Sequence, residues 1–136
     1  MTPWLIPALF SLFSFGLWGL FTKLTITAID SKSALIFQTI GVVLAGIFVL
    51  FSIDFKLATT PKGVSFGVLT GIAYGLGCLF YFIAADKGKI STVVTLTALY
   101  PIVTIILSAL LLGETIEIKQ LFGILLALAA IFLLSA

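Results

Sequence analysis

This 136-residue chain predicts an all-α integral membrane protein with five transmembrane helices. Four charge-free apolar stretches run Trp4–Thr22, Ser33–Ile53, Val64–Ala85 and Ile90–Gly113, and a fifth covers Leu121–Ala136. Each is about long enough to cross a hydrocarbon core of roughly 30 Å, at ~1.5 Å per helical residue. Hydrophobic residues make up 62% of the chain and charged residues 9%, with a mean hydropathy of +1.37, a balance no soluble domain carries. The charged residues all stand between the stretches or at their edges.

The elements follow in order. The first helix is expected over about residues 4–22, with Trp4 as an interfacial anchor. No Lys or Arg precedes it and Lys23 follows it, so it reads as a retained helix and not a cleaved signal peptide. Asp30-Ser31-Lys32-Ser33 leads into a second helix over about 33–53, with Ser33 as its N-cap. Thr60-Pro61 opens the third, about 64–85, where the missing N–H of Pro61 is harmless at the first helical position. Asp86-Lys87-Gly88-Lys89 makes a tight turn into the fourth, about 90–113, which Gly113 closes. Thr115 is expected to cap the fifth, about 117–136, with Glu117 in its positive first turn. No connection is long enough to fold alone, so residues 1–136 read as a single domain.

Composition excludes several classes of function. The net charge of +2 is spread over short connections, which leaves no basic patch for nucleic acid. Histidine and arginine are absent, and Cys78 is the one cysteine. Metal sites, cofactors and disulfides are therefore not expected. No carboxylate or amine lies deep in a span, and no nucleophile–base pair or phosphate loop exists, so catalytic residues are not expected either.

Polar residues inside a membrane span are costly unless they face a partner or a cavity. Ser11, Ser14, Trp18 and Thr22 share one face of the first helix, and Thr70, Tyr74, Cys78 and Tyr81 share one face of the third. Thr97, Pro101, Thr104 and Ser108 form a stripe on the fourth, with Tyr100 on its flank. Trp18, Thr70, Tyr74, Tyr81, Thr97, Tyr100 and Thr104 are the candidate solute-path residues. For any single Ser or Thr, helix–helix hydrogen bonding is the plainer explanation. Gln38 near the start of the second helix, Lys23 and Glu114 read as interfacial polar residues, the latter two snorkelling to water. Pro101 interrupts the fourth helix near its midpoint, as a static kink or as a hinge beside Tyr100. Gly63, Gly67, Gly71 and Gly75 recur every four residues, a close-packing ribbon and possible rocking seam. The fifth helix has no polar residue from Leu121 to Leu134 and reads as facing lipid or a partner.

An odd number of spans puts the two termini on opposite sides of the membrane. Lys56, Lys62 and Lys119 fall on the N-terminal side, and Lys23, Lys32, Lys87 and Lys89 on the other. So even a balance does not select one orientation, and both single and dual insertion stay open.

Leu99-Tyr100-Pro101-Ile102-Val103-Thr104, Leu110-Leu111-Leu112-Gly113-Glu114-Thr115 and Gln120-Leu121-Phe122-Gly123-Ile124 resemble the end of an EamA domain of the drug/metabolite transporter superfamily. Trp18-Gly19-Leu20-Phe21-Thr22-Lys23 resembles the family's first-helix ending. The resemblance covers the whole chain and fits the short branch with one five-helix unit. It implies one unit of an inverted-repeat transporter for metabolites or toxic solutes, with helices one to four around the path. A single unit reaches that architecture by pairing antiparallel with a second copy, or with a related subunit. Trp4–Thr22 holds no acid, unlike the first-helix Glu of the small multidrug resistance relatives. The expected partners are thus a small-molecule solute, the lipid bilayer and a second copy. The rival functions are a non-transporting subunit of a membrane complex and a flippase for a lipid-linked intermediate, against which the absence of Arg counts. The resemblance places the chain in a prokaryotic inner membrane.

Overall fold

The computed structural model describes residues 3–115 and 117–135, apart from the side chains of Leu134 and Ser135. Ala136, expected to end the fifth helix, lies outside the described residues. The regular structure is helical throughout: α1 (Leu5–Ile26), α2 (Ser31–Ser52), α3 (Pro61–Lys87), α4 (Ile90–Thr97), α5 (Tyr100–Leu112) and α6 (Ile118–Ser135). Four stretches are long and apolar enough to cross a membrane, namely α1, α2, α3 and Ile90–Leu112, and α6 is a shorter apolar helix.

Several boundaries differ from the sequence expectation, each for a local reason. α1 runs past Thr22 to Ile26 and takes Lys23 into the helix, ending where the N–H of Thr27 bonds to the Lys23 carbonyl at 3.3 Å. A charge at the edge of a span does not stop a helix; the backbone stops where its groups find other partners. Asp30, not Ser33, caps α2. Its Oδ1 accepts from the backbone N–H groups of Lys32 at 3.0 Å and Ser33 at 3.1 Å, and Ser33 Oγ donates to the other carboxylate oxygen. The ionised carboxylate satisfies two orphan N–H groups at once, which a serine hydroxyl further along does not. These bonds, the Ser33 hydroxyl foremost, hold the Asp30 carboxyl below its ordinary pKa.

α3 begins at Pro61 as expected, with Thr60 Oγ1 accepting from the Gly63 N–H at 3.2 Å, and it continues to Lys87. Only Gly88 and Lys89 then separate it from α4. The expected fourth helix is two helices, because Pro101 has no N–H to give the Thr97 carbonyl. Leu99 and Ile102 instead bond three residues back, at 3.2 and 3.0 Å, and Ala98–Leu99 falls out of the α-helix. Gly113 closes α5 in the left-handed conformation, with φ 69°. Thr115 does not cap α6. The helix begins at Ile118, and the N–H of the preceding Glu117 donates to Gln120 Oε1 at 3.0 Å, one half of a capping box.

The chain forms two compact units, Met1–Lys87 and Gly88–Ala136. In the first, α3 is the most buried span and packs on both α1 and α2. Packing crowds at the end where α1 finishes, α2 starts and α3 finishes. There Thr22, Ile26, Ala34, Cys78, Phe82 and Ala85 are buried, Ala85 completely. The opposite end is open. A Cβ added at Gly67, Gly71 or Gly75 meets nothing within 4 Å, and at Gly63 it meets only the Thr60 hydroxyl of its own N-cap. The glycine ribbon, expected to seat another helix, thus leaves room for added side chains along its length in the first unit.

In the second unit, α6 packs against α4. Val93 on α4 is buried, and Ile124, Leu128 and Ile131, one face of α6, are half-buried. The apolar face of the last helix thus has a covered stripe inside the unit.

Candidate functional site

The crowded end of the first unit carries a polar chain that crosses all three helices. Trp18 Nε1 on α1 donates to Gln38 Oε1 on α2 at 2.8 Å, and Gln38 Nε2 donates to the Tyr74 hydroxyl on α3 at 3.4 Å. The indole N–H is a donor only, so it orients the amide, with oxygen toward Trp18 and nitrogen toward Tyr74. The Trp18 ring also lies 4.6 Å from the Tyr81 ring, tilted at 42°. The Tyr81 hydroxyl is buried and has no hydrogen-bond partner among the described residues. Helix periodicity produces this convergence: Tyr74 and Tyr81, seven residues apart, share one face of α3, and α1 runs parallel to it.

A cavity of about 270 Å³ opens beside this chain, lined by Trp18, Thr22, Phe37, Gln38 and Phe82 among others. That is near the lower end for small-molecule sites, roughly 300 Å³ upward. Its walls are aromatic and carry no charged group, while Trp18, Gln38 and Thr22 supply polar atoms. Such a lining suits a small neutral solute that offers hydroxyls to an amide and an apolar face to an aromatic ring.

Below the cavity, Lys23 does not snorkel away. Its Nζ donates to the Ala85 carbonyl at 3.1 Å, in the last turn of α3. A cation there satisfies an orphan carbonyl at the negative end of the helix. Lys23 thereby ties α1 to α3 at the closed end of the unit.

The structure joins Trp18, Tyr74 and Tyr81 around Gln38. Thr70, one turn before Tyr74, is exposed and donates to the Phe66 carbonyl of its own helix at 2.9 Å. In the second unit, Thr97, Thr104 and Ser108 likewise bond back to carbonyls of their own helices, and Tyr100 is exposed at the first turn of α5. Gln38, read from the sequence as an interfacial polar residue, is the one that links the aromatic side chains, through its bonds to Trp18 and Tyr74. It sits seven residues into α2, about 10 Å along the helix. An amide set within an apolar helix needs hydrogen-bond partners, and that is the signal the sequence carries for it. The aromatic walls Phe37 and Phe82 gave no signal among thirteen phenylalanines.

A larger cleft of about 780 Å³ lies within the second unit, lined by Ser108, Glu114, Gln120, Gly123 and Ala127 among others. It has no aromatic wall, and Gln120 is already engaged in capping α6. It is the hollow left where Gly113 turns the chain between two helices, and the smaller cavity has the chemistry of a site. Among the described residues no group of three His, Cys, Asp or Glu stands close enough to hold a metal ion.

No solved structure matches this chain. It is 35% identical over 104 residues to an uncharacterized protein of Methanocaldococcus jannaschii, a match covering 74% of this chain and 76% of that one. It is 31% identical over 99 residues to the glucose uptake protein GlcU of Staphylococcus xylosus, and 29% identical over 99 residues to a probable glucose uptake protein GlcU of Staphylococcus aureus. Each of those matches covers 73% of this chain and 33% of the relative, so the aligned part spans about a third of the glucose uptake proteins. The model of the EamA-like transporter family matches residues 2–136. Apolar spans, a neutral cavity between helices and this match over nearly the whole length lead to one conclusion: the chain is a multi-pass membrane protein of the EamA-like transporter family.

Proposed function

We propose that this protein carries a small, neutral, hydroxyl-rich solute of the sugar class across a prokaryotic cell membrane. The observation that carries the reading is the Trp18–Gln38–Tyr74 hydrogen-bond chain beside an uncharged aromatic cavity. An aromatic ring offers a face to the apolar side of a pyranose, and an amide offers both a donor and an acceptor to its hydroxyls. The names of the glucose uptake relatives point the same way. Trp18, Tyr74 and Tyr81 form the solute site in the first unit. In the second unit we assign Thr97, Tyr100 and Thr104 to the solute path, and the break at Ala98–Leu99 beside Pro101 to a hinge. Thr70 continues the path along α3.

The protein works in this reading as one five-helix domain paired antiparallel with a second copy, one half of an inverted-repeat transporter. Near-equal lysine counts on the two sides support dual insertion, and the unoccupied face at Gly67, Gly71 and Gly75 is a seam where another helix can approach closely. The same free face favours one second reading, a membrane subunit that acts only with a different partner. Flux of labelled D-glucose into proteoliposomes containing the chain alone decides between them. Uptake that falls at least tenfold in Trp18→Ala supports the transporter and its site. Uptake unchanged in Trp18→Ala removes the site assignment, and no flux of any solute from the chain alone favours the subunit.

A further inference from the structure

We propose that Gln38 is the residue that sets solute specificity, by reading a pair of adjacent hydroxyls on the solute; this rests on the transport reading above. A primary amide has two N–H donors and an oxygen with two lone pairs. In the structure one lone pair receives Trp18 Nε1 and one N–H goes to the Tyr74 hydroxyl. One donor and one acceptor remain, side by side on a planar group that lines the cavity. Neighbouring hydroxyls on a sugar ring present the complementary pair, one accepting and one donating.

Three features make this more than a spare valence. First, the amide is oriented from both sides: Trp18 fixes the oxygen and Tyr74 the nitrogen, so its free positions point in a set direction. Second, Trp18 is itself braced by the Tyr81 ring, which keeps the indole from turning away. Third, Thr22 lines the same cavity and brings a second polar side chain to it beside the amide. A hydroxyl-rich solute supplies groups for both. An anionic solute gains nothing here, because the cavity holds no charged lining residue. An apolar solute leaves the amide unpaired, which a site built to bond a hydroxyl penalises strongly.

The test uses the full chain in nanodiscs with Trp4→Phe, which leaves Trp18 as the lone tryptophan reporter. Trp4 is exposed and lies outside the site. Quenching of Trp18 fluorescence is titrated with D-glucose and with 2-deoxy-, 3-deoxy- and 4-deoxyglucose, each lacking one hydroxyl. The proposal expects at least one deoxy sugar to bind about tenfold more weakly than glucose. Gln38→Met, similar in length but without amide groups, should weaken glucose about tenfold and erase that difference. Gln38→Glu keeps an acceptor for Trp18 and loses the amide donors, so it should also lose discrimination even if the Met variant misfolds. If both variants discriminate as the parent does, Gln38 is not the determinant, while transport of sugar stands. If the parent binds none of the sugars yet carries another neutral solute, the hydroxyl-pair inference falls and the transport reading survives. If it carries no solute at all, both fall.

Discussion

Both halves of α3 are apolar, and they have opposite fates. From Cys78 to Ala85 the helix is wedged between α1 and α2, with Phe82 2% exposed and Ala85 fully buried. From Gly63 to Gly77 its tie to another helix is the Tyr74 hydroxyl, which accepts from Gln38, and an added Cβ at Gly67, Gly71, Gly75 or Gly77 would meet open space. In water, apolarity alone would bury both halves. In a bilayer lipid tails are as apolar as leucine, so burial follows only from shape and from polar contacts. The closed half has both: a small Ala85 that admits close approach, the Lys23 bond to its carbonyl, and the aromatic pair Trp18–Tyr81. The open half has a smooth glycine face and the one polar tie at Tyr74.

The largest effect expected is at the closed half. Phe82→Ala should lower unfolding free energy by about 3 kcal/mol, measured by denaturation in bicelles, while Val68→Ala in the open half should change it by less than about 0.5 kcal/mol. Equal losses would break the comparison. Next comes the polar chain: Trp18→Phe removes the donor to Gln38 and should cost about 1 kcal/mol, with an altered near-UV circular dichroism spectrum. Lys23→Met follows, at about 0.5–1 kcal/mol, read as faster amide exchange in the last turn of α3. Gly71→Ala sharpens the contrast by sign. In open space the added methyl only improves helix propensity, so stability should rise by up to about 0.5 kcal/mol, whereas a loss of pairing between copies would show the ribbon occupied from outside.

The smallest effect lies outside the membrane. The Asp30 carboxylate is held below its ordinary pKa by Ser33 and by the backbone of α2. A lowered folded-state pKa means the cap is fully present above an ordinary value of about 3.9 and is lost as pH falls through the depressed value. Amide exchange at Lys32 and Ser33 should therefore accelerate at acid pH, and Asp30→Asn should remove that pH dependence.

Hydropathy alone located the five apolar stretches, and local chemistry located Pro61, Gly113 and the break at Pro101, because each depends on residues adjacent in sequence. The caps at Asp30 and Glu117 were misplaced by a few residues, since Ser33 and Thr115 also fit the preference and only backbone geometry chooses between them. The site was legible in part. Trp18, Tyr74 and Tyr81 stood out as aromatics with polar tips on periodic faces, but what ties them together is Gln38, whose role depends on the rotation of α2 about its axis.

What the sequence determined by itself, then, is the class of solvent the chain folds in, the number and length of its apolar helices, and where proline and glycine interrupt them. These follow from transfer energies and backbone sterics that act within a few residues. Tertiary structure alone decided which end of the first unit closes, that Lys23 caps α3 and that Gln38 bridges two aromatic side chains. Those outcomes depend on how helices rotate and approach in a medium where nearly every face is apolar, and a few polar atoms and small residues break that tie.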